Sequence, residues 1–227
     1  MSRKEILLWD WPLRLFHWLL VIAVVGAYLT GELGGTLNVW HDYFGNLVLG
    51  LLVFRLIWGF TGSTYARFAN FFPTYAKLRA YLQGRWHGLG HNPLGAISVL
   101  SILAVLLAIA VTGLFANDDI GYEGPFYPLV AKQFSDQSSG WHNRLVSLLI
   151  GLLVIHLGAI AYYWLIKKIN LVQPMLTGKK KLAAEMDASS AAPMSQWRFL
   201  LSVLTAVLII FLVRSKALLE YLSVLSH

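Results

Sequence analysis

Residues 140–168 read GWHNRLVSLLIGLLVIHLGAIAYYWLIKK and decide the fold of this chain. The run is mostly apolar and long enough, as a helix, to cross a hydrocarbon core of about 30 Å. It carries His142 and His156, fourteen residues apart. At about 100° per residue the two imidazoles project from one helix face, separated by about 21 Å along the axis. A metal ion lies about 2 Å from an imidazole ligand, so the spacing predicts two separate sites, each needing another ligand from elsewhere in the chain.

The composition excludes a soluble globular protein. Of the 227 residues, 57% are apolar and only 13% are charged, and the mean hydropathy is +0.62, as in an integral membrane protein. The chain has no cysteine, which rules out disulfides, thiolate metal sites, iron–sulfur clusters and covalently attached haem. Any redox centre must therefore be held by histidine or methionine.

Apolar runs predict an all-α transmembrane helical bundle of four helices plus a fifth. The first four spans are expected at about residues 13–31, 39–60, 93–115 and 140–167. The first has no small-residue cleavage pattern, so we expect it to be retained. Residues 182–196 are small and polar and predict a linker. Residues 197–227 predict a fifth membrane helix and tail, with an interfacial helix as the alternative because the uninterrupted apolar run, 199–213, is short for a span.

The net charge of +7 is explained by topology better than by nucleic-acid binding, because the charges are sorted between loops. Residues 61–94 hold four basic residues and no acidic residue, which predicts the cytoplasmic side. Residues 116–139 are acidic and predict the opposite side; their charged residues are Asp118, Asp119, Glu123, Asp136 and Lys132. The N-terminus is then cytoplasmic. Within the basic segment, residues 75–82 have helical spacing and predict either an interfacial helix or a packed aromatic loop.

This topology assigns a depth to each histidine. His17 begins the first span on the inner side, and His41 begins the second on the outer side. In the descending fourth span, His142 is outer and His156 inner. The histidines therefore pair by depth, His41 with His142 and His17 with His156, and each pair could ligate one haem iron axially.

Other residues near these histidines are candidates for contacts with a haem. Gly45, Gly151 and Gly158 would let a porphyrin approach the helix backbone, although ordinary helix packing also explains them. Arg55 lies within a span, and Arg14 precedes His17 by three residues. Either arginine could pair with a haem propionate or extend its charged end to the interface. His87 is expected at the surface, and His227 in the tail.

Several short motifs, taken in order, resemble the bacterial cytochrome b561 family, which includes the b-type cytochrome subunits of nickel–iron hydrogenases. The resemblance covers roughly residues 7–181. It rests on Trp9-Asp10, Arg14-x-x-His17-Trp18, His41-x-x-x-Gly45, Arg55-Leu56-Ile57-Trp58-Gly59-Phe60, Ala66-Arg67-Phe68, Gly90-His91-Asn92-Pro93-Leu94-Gly95, the two histidines of the fourth span and Thr177-Gly178-Lys179-Lys180.

The resemblance implies that residues 1–181 form a dihaem cytochrome b domain with ligands from the first, second and fourth helices, matching His17, His41, His142 and His156. It also implies electron transfer between membrane quinone and a redox partner. His91 matches the family's Gly-His-Asn-Pro segment, and we expect it to line a quinone pocket, to touch a propionate or to cap the third span. Two features depart from the family: Trp141 stands where an acidic residue is common, and no motif matches beyond Lys181.

The sequence thus predicts transmembrane electron transfer by a dihaem b-type cytochrome of a bacterial inner membrane, with no catalytic residue of its own. The electrons would pass between the quinone pool and a periplasmic c-type cytochrome or hydrogenase small subunit, as part of an oxidoreductase system such as a quinol:acceptor oxidoreductase. The alternatives are a histidine-bearing transporter, whose histidines should converge at mid-membrane, and a plain membrane anchor.

Overall fold

The computed structural model of the chain describes residues 3–183 and 190–225. Within these ranges, five helices are long and apolar enough to cross a membrane. They are α1 (Trp11–Leu33), α2 (Asn38–Thr61), α5 (Pro93–Gly113), α6 (Lys132–Leu165) and α8 (Gln196–Leu225). The predicted all-α transmembrane fold is confirmed, and the last apolar run forms a helix of full spanning length.

Helix α6 begins eight residues earlier than the predicted span. Its first two turns contain polar residues that suggested a loop, but several of them have partners. Lys132 forms an ion pair with Asp136 one turn later, at 2.9 Å. The Ser135 hydroxyl donates to the Phe115 carbonyl at 2.6 Å, and Ser139 donates to the Asn117 carbonyl at 2.8 Å. These contacts extend the helix beyond the apolar segment.

Three short helices connect the long ones: α3 (Phe68–Phe71), α4 (Tyr75–Leu82) and α7 (Val172–Thr177). The residues that were open to two readings, 75–82, are helical, and the Thr74 hydroxyl caps them by accepting from the Lys77 backbone N–H. No helix covers residues 83–92, so His87 and His91 share no helix face.

A two-stranded antiparallel sheet was not predicted. Strand β1 (Arg3–Leu7) pairs with β2 (Lys179–Ala183), with Arg3 opposite Ala183 and Leu7 opposite Lys179. Ile6 of β1 and Leu182 of β2 are buried together. The three consecutive lysines of β2 are typical of a basic segment next to a membrane helix. The strand that pairs with β2 lies far away in the sequence, so the local pattern did not predict a sheet. Part of the predicted linker, residues 184–189, lies outside the described residues.

The fold divides into two compact units. The first comprises Met1–His17, Arg55–Ile102 and Leu152–Ser202, and the second comprises Trp18–Phe54, Leu103–Gly151 and Val203–His227. Each long helix contributes a part to each unit. His17 and His156 belong to the first unit, whereas His41 and His142 belong to the second.

Candidate functional site

In the second unit, the rings of His41 and His142 lie next to each other in an edge-on arrangement. Their centroids are 6.1 Å apart and their planes are inclined by 72°. A metal ion lies about 2 Å from an imidazole nitrogen, and the nitrogen about 1 Å from the ring centre, so two axial imidazoles have centroids about 6 Å apart. The separation of these two rings therefore suits one metal ion between them.

Both rings are oriented by backbone carbonyl groups. His41 Nδ1 donates to the Ala27 carbonyl oxygen at 2.8 Å, and His142 Nδ1 donates to the Ile109 carbonyl oxygen at 3.0 Å. Because a carbonyl only accepts, each Nδ1 carries the proton and each Nε2 keeps its lone pair. Metal-ligating histidines commonly have this second contact, which sets their tautomer and direction.

Two glycines give these rings their space, and sequence reasoning did not single them out. A Cβ built at Gly31 would lie 2.9 Å from His41 Nδ1, and one built at Gly113 would lie 3.2 Å from the His142 ring. Any larger residue would push the ring away from its carbonyl partner. The predicted glycines behave differently. A Cβ at Gly45, Gly151 or Gly158 meets no protein atom within 4 Å, so the space beside them is open.

In the first unit, His17 and His156 are both partly buried. The four candidate ligands are therefore divided two and two between the units, and a ring contact is observed between His41 and His142. Among the side chains that the structure describes, no three His, Asp or Glu residues converge on a common point.

Arg55 is almost entirely enclosed in the first unit, with 3% of its surface exposed. Its guanidinium lies 4.5 Å from the centre of the Phe68 ring, and its Nη1 atom is buried without a hydrogen-bond partner among the described residues. A buried guanidinium with an unused donor suits an anionic group such as a propionate. Arg14 instead donates from Nη1 to the Leu176 carbonyl at 2.5 Å, although its Nε is also buried and unpartnered within the described chain.

Asp10 is a buried carboxylate, 3% exposed, that the sequence marked only as part of a motif. One oxygen accepts from the Leu13 backbone N–H at 2.8 Å and caps α1. The other accepts from the indole N–H of Trp58 at 3.1 Å. The carboxylate also attracts the Arg55 guanidinium electrostatically. It thus links the helix that carries His17 to the segment that carries Arg55.

His91 lies between two aromatic rings, 4.8 Å from Trp9 and 5.1 Å from Phe71, measured between ring centroids. Burial lowers the pKa of His91 to about 4, with smaller contributions from the charges of Arg55, His156 and His17. The imidazole is therefore neutral at pH 7. It does not cap α5, because the Asn92 side chain does so by accepting from the Gly95 N–H at 2.7 Å.

Beside His91 is a cavity of about 360 Å³ within the first unit. Its lining combines aromatic rings with polar groups, and it includes Thr64, Tyr65, Asn70, Phe71, Lys77, Trp86 and His91. Such a mixture is typical of a small-molecule pocket. The cavity is large enough for an aromatic headgroup.

The acidic loop after α5 is held in a defined conformation. Asp118 Oδ1 accepts from the backbone N–H groups of Ile120, Gly121 and Tyr122 at 2.8–3.0 Å, and these bonds lower the pKa of Asp118. The Tyr122 ring lies 6.2 Å from that of His41. Burial, with the charges of Asp42 and Asp118, raises the pKa of Tyr122 to about 12. The loop therefore places an aromatic ring against a candidate ligand.

Comparison with known proteins identifies one family. The model for the prokaryotic cytochrome b561 family matches residues 8–178. No solved structure matches the chain at a significant level.

Curated relatives cover most of the chain at low identity. The "Probable Ni/Fe-hydrogenase B-type cytochrome subunit" of Bradyrhizobium diazoefficiens is 20% identical over 216 residues, which is 79% of this chain and 87% of the relative. The protein of the same name from Azotobacter chroococcum is 23% identical, covering 78% and 89% of the two chains. The "Probable Ni/Fe-hydrogenase 1 B-type cytochrome subunit" of Escherichia coli is 24% identical over 63% of this chain and 77% of its own.

The family match over residues 8–178 agrees with the five helices of spanning length in the described part of the chain. The family implies haem b as the cofactor. The chain belongs to the prokaryotic cytochrome b561 family and is a multi-pass membrane protein that transfers electrons across the membrane.

Proposed function

We propose that this chain binds two haem b groups, one between His41 and His142 and the other between His17 and His156. The observation that carries the proposal is the first pair, whose rings are 6.1 Å apart with both Nδ1 atoms donating to carbonyls. Each haem, when bound, would take up and release one electron. The Nε2 atoms of His41 and His142 would hold the iron, the carbonyl contacts of their Nδ1 atoms would keep both rings in one tautomer, and the open space beside Gly45 would admit the porphyrin.

The second pair is supported by the charged group near it. The unused Nη1 of Arg55 would bind a propionate of this haem, and Asp10 would hold the guanidinium in place. Arg14 is a weaker candidate because its Nη1 already bonds to Leu176.

We further propose that membrane quinone binds in the cavity beside His91. The Trp86 and Phe71 rings would pack on a flat quinone ring. Because burial keeps His91 neutral at pH 7, its ring N–H could donate a hydrogen bond to a quinone oxygen.

The partner on the other side would dock at the acidic loop. Asp119 and Glu123 are exposed there, and a positively charged face on the partner would complement them. The names of the relatives favour a hydrogenase as this partner, and a c-type cytochrome is the second candidate. The basic segment 61–94 and the acidic loop support insertion in a bacterial inner membrane with a cytoplasmic N-terminus.

The first experiment is a dithionite-reduced minus oxidised spectrum, with haem and protein quantified on the same purified sample. We expect two b haems per chain. His41→Ala and His142→Ala should each remove one haem, and His17→Ala and His156→Ala the other. His87→Ala, at an exposed loop position, is the matched control and should keep both. A colourless protein would contradict the proposal, as would full haem content in His156→Ala.

A further inference from the structure

Helix α8 lies beyond the family match, which ends at residue 178, yet it packs closely on α2. One face of α8 repeats every four residues, at Ser202, Ala206, Ile210 and Arg214, and the last two contact α2. Ser202 and Ala206 are buried. A side chain at Gly50 of α2 would collide with the Ile210 side chain, so that glycine lets the helices approach.

At the far end of this face, Arg214 forms an ion pair with Asp42. Its Nη1 donates to Asp42 Oδ2 at 2.7 Å, and its guanidinium lies 5.5 Å from the centre of the Tyr43 ring. The other Asp42 oxygen accepts from the Asn46 side-chain amide at 2.9 Å. These contacts keep the carboxylate and the guanidinium together.

Asp42 directly follows His41, a candidate haem ligand. A carboxylate beside a haem stabilises the ferric state, which carries one more positive charge than the ferrous state, and so lowers the reduction potential. A cation paired with that carboxylate offsets the effect. The Asp42 side chain is 27% exposed and that of Arg214 is 49% exposed, so solvent weakens both contributions without removing them.

We propose that Arg214 is a positioning residue that raises the reduction potential of the haem at His41 by neutralising Asp42. The inference rests on the proposed haem at His41 and His142. At a separation of about 10 Å and an effective dielectric constant between about 20 and 80, one charge changes the ratio of reduced to oxidised haem by about two- to sixteenfold. This helix, outside the family match, would thus adjust the electron affinity of one of two haems.

The test is a redox titration of the purified full-length protein, with the haem lost in His41→Ala used to assign the signal. We expect Arg214→Gln to lower the potential of that haem, Asp42→Asn to raise it, and the double variant to lie close to the original. Arg214→Lys keeps the positive charge and should change the reduction potential little. Lys179→Gln is the matched control, because Lys179 forms an exposed ion pair of similar length, 3.0 Å, with Glu5 and should leave both potentials unchanged.

Three results would overturn the proposal: no shift in either single variant, shifts of the same sign, or equal shifts of both haems. If no haem depends on His41, the haem assignment and this inference fail together. If two assigned haems are present and the single variants leave them unshifted, only the inference fails. Should Arg214→Gln disturb packing, Asp42→Asn still decides the sign of the shift, and Arg214→Lys shows whether a retained charge preserves the potential.

Discussion

Replacing Gly45 with alanine distinguishes a porphyrin from empty space beside α2. Gly45 lies one turn after His41 on the same helix face, and a Cβ built there meets no protein atom within 4 Å. Judged by protein contacts alone, Gly45→Ala should stabilise the helix by about 0.5–1 kcal/mol, because alanine loses less backbone entropy on folding. If a porphyrin lies against that face, the new methyl group occupies its place. We then expect haem affinity at the His41 site to fall by at least about tenfold, equivalent to about 1.4 kcal/mol.

The assay combines haem per chain, the reduced-minus-oxidised spectrum and the melting temperature of the purified protein. Gly140→Ala is the control, since a Cβ there also meets no atom within 4 Å and residue 140 points away from the face of His142. The control should melt slightly higher and keep both haems. The reasoning is refuted if Gly45→Ala also melts higher with an unchanged spectrum and full haem content.

Three further predictions address other parts of the chain. Asp10→Ala should destabilise the protein by about 2–4 kcal/mol, because α1 loses its cap and the Trp58 indole loses its acceptor. Thermal unfolding measures the loss, and Asp10→Asn should recover most of it. An unchanged melting temperature in Asp10→Ala would contradict this prediction. The lowered pKa of His91, about 4 against an ordinary 6.5, means that the unfolded chain binds a proton that the folded chain does not, so stability falls as the pH falls from about 6.5 to 4. His91→Phe should therefore melt with less dependence on pH between 7.5 and 5, whereas His87→Phe should not differ from the original protein; equal pH dependence in both would count against the assignment. The double variant Asp119→Asn, Glu123→Gln should slow electron transfer to a small basic c-type cytochrome at low salt and not at high salt. Glu32→Gln, outside this loop, is the control. An unchanged low-salt rate in the double variant would exclude this loop as the docking face.

Asp118 is kept in that last experiment for a structural reason. Its carboxylate accepts three backbone N–H groups of the same loop. Replacing it would alter the loop conformation together with its charge. A slower rate could then come from a displaced Tyr122 instead of weaker attraction. The docking test therefore replaces Asp119 and Glu123; Asp119 pairs with Lys132 at 2.7 Å, and Lys132 keeps Asp136 as a second partner.

The pairing of histidines could be predicted because it depends on two regular quantities. Helical rise and rotation set the positions of His142 and His156 on one face, and the sorting of charged loops sets the direction of each span. Both follow from residue type and sequence spacing alone. The structure accordingly brings His41 beside His142 and places His17 with His156 in one unit. Ligation of haem by these pairs stays a prediction.

The sheet formed by β1 and β2 could not be predicted in the same way. Its strands have five residues each and lie at opposite ends of the family match. Lys179, Lys180 and Lys181 satisfy the expected positive charge near a membrane helix, so nothing in the local pattern required a strand. Only the partner strand, which pairs Glu5 with Lys181 in register and bonds its carboxylate to Lys179, makes this segment extended.

The groups that orient the candidate ligands were hidden from sequence analysis for a different reason. His41 and His142 are both held by backbone carbonyls, of Ala27 and Ile109, and a carbonyl is present in every residue. Both carbonyls also accept from a threonine hydroxyl, that of Thr30 at 3.2 Å and that of Thr112 at 3.0 Å. Accepting from the imidazole as well requires no special side chain at the carbonyl's own position; it requires a small residue where the imidazole passes. Gly31 follows Ala27 by four residues and Gly113 follows Ile109 by four, so each glycine lies one turn beyond its carbonyl on the same face. The detectable signal is therefore a glycine one turn after the acceptor on the neighbouring helix, and it becomes readable only once the helix that faces each histidine is known.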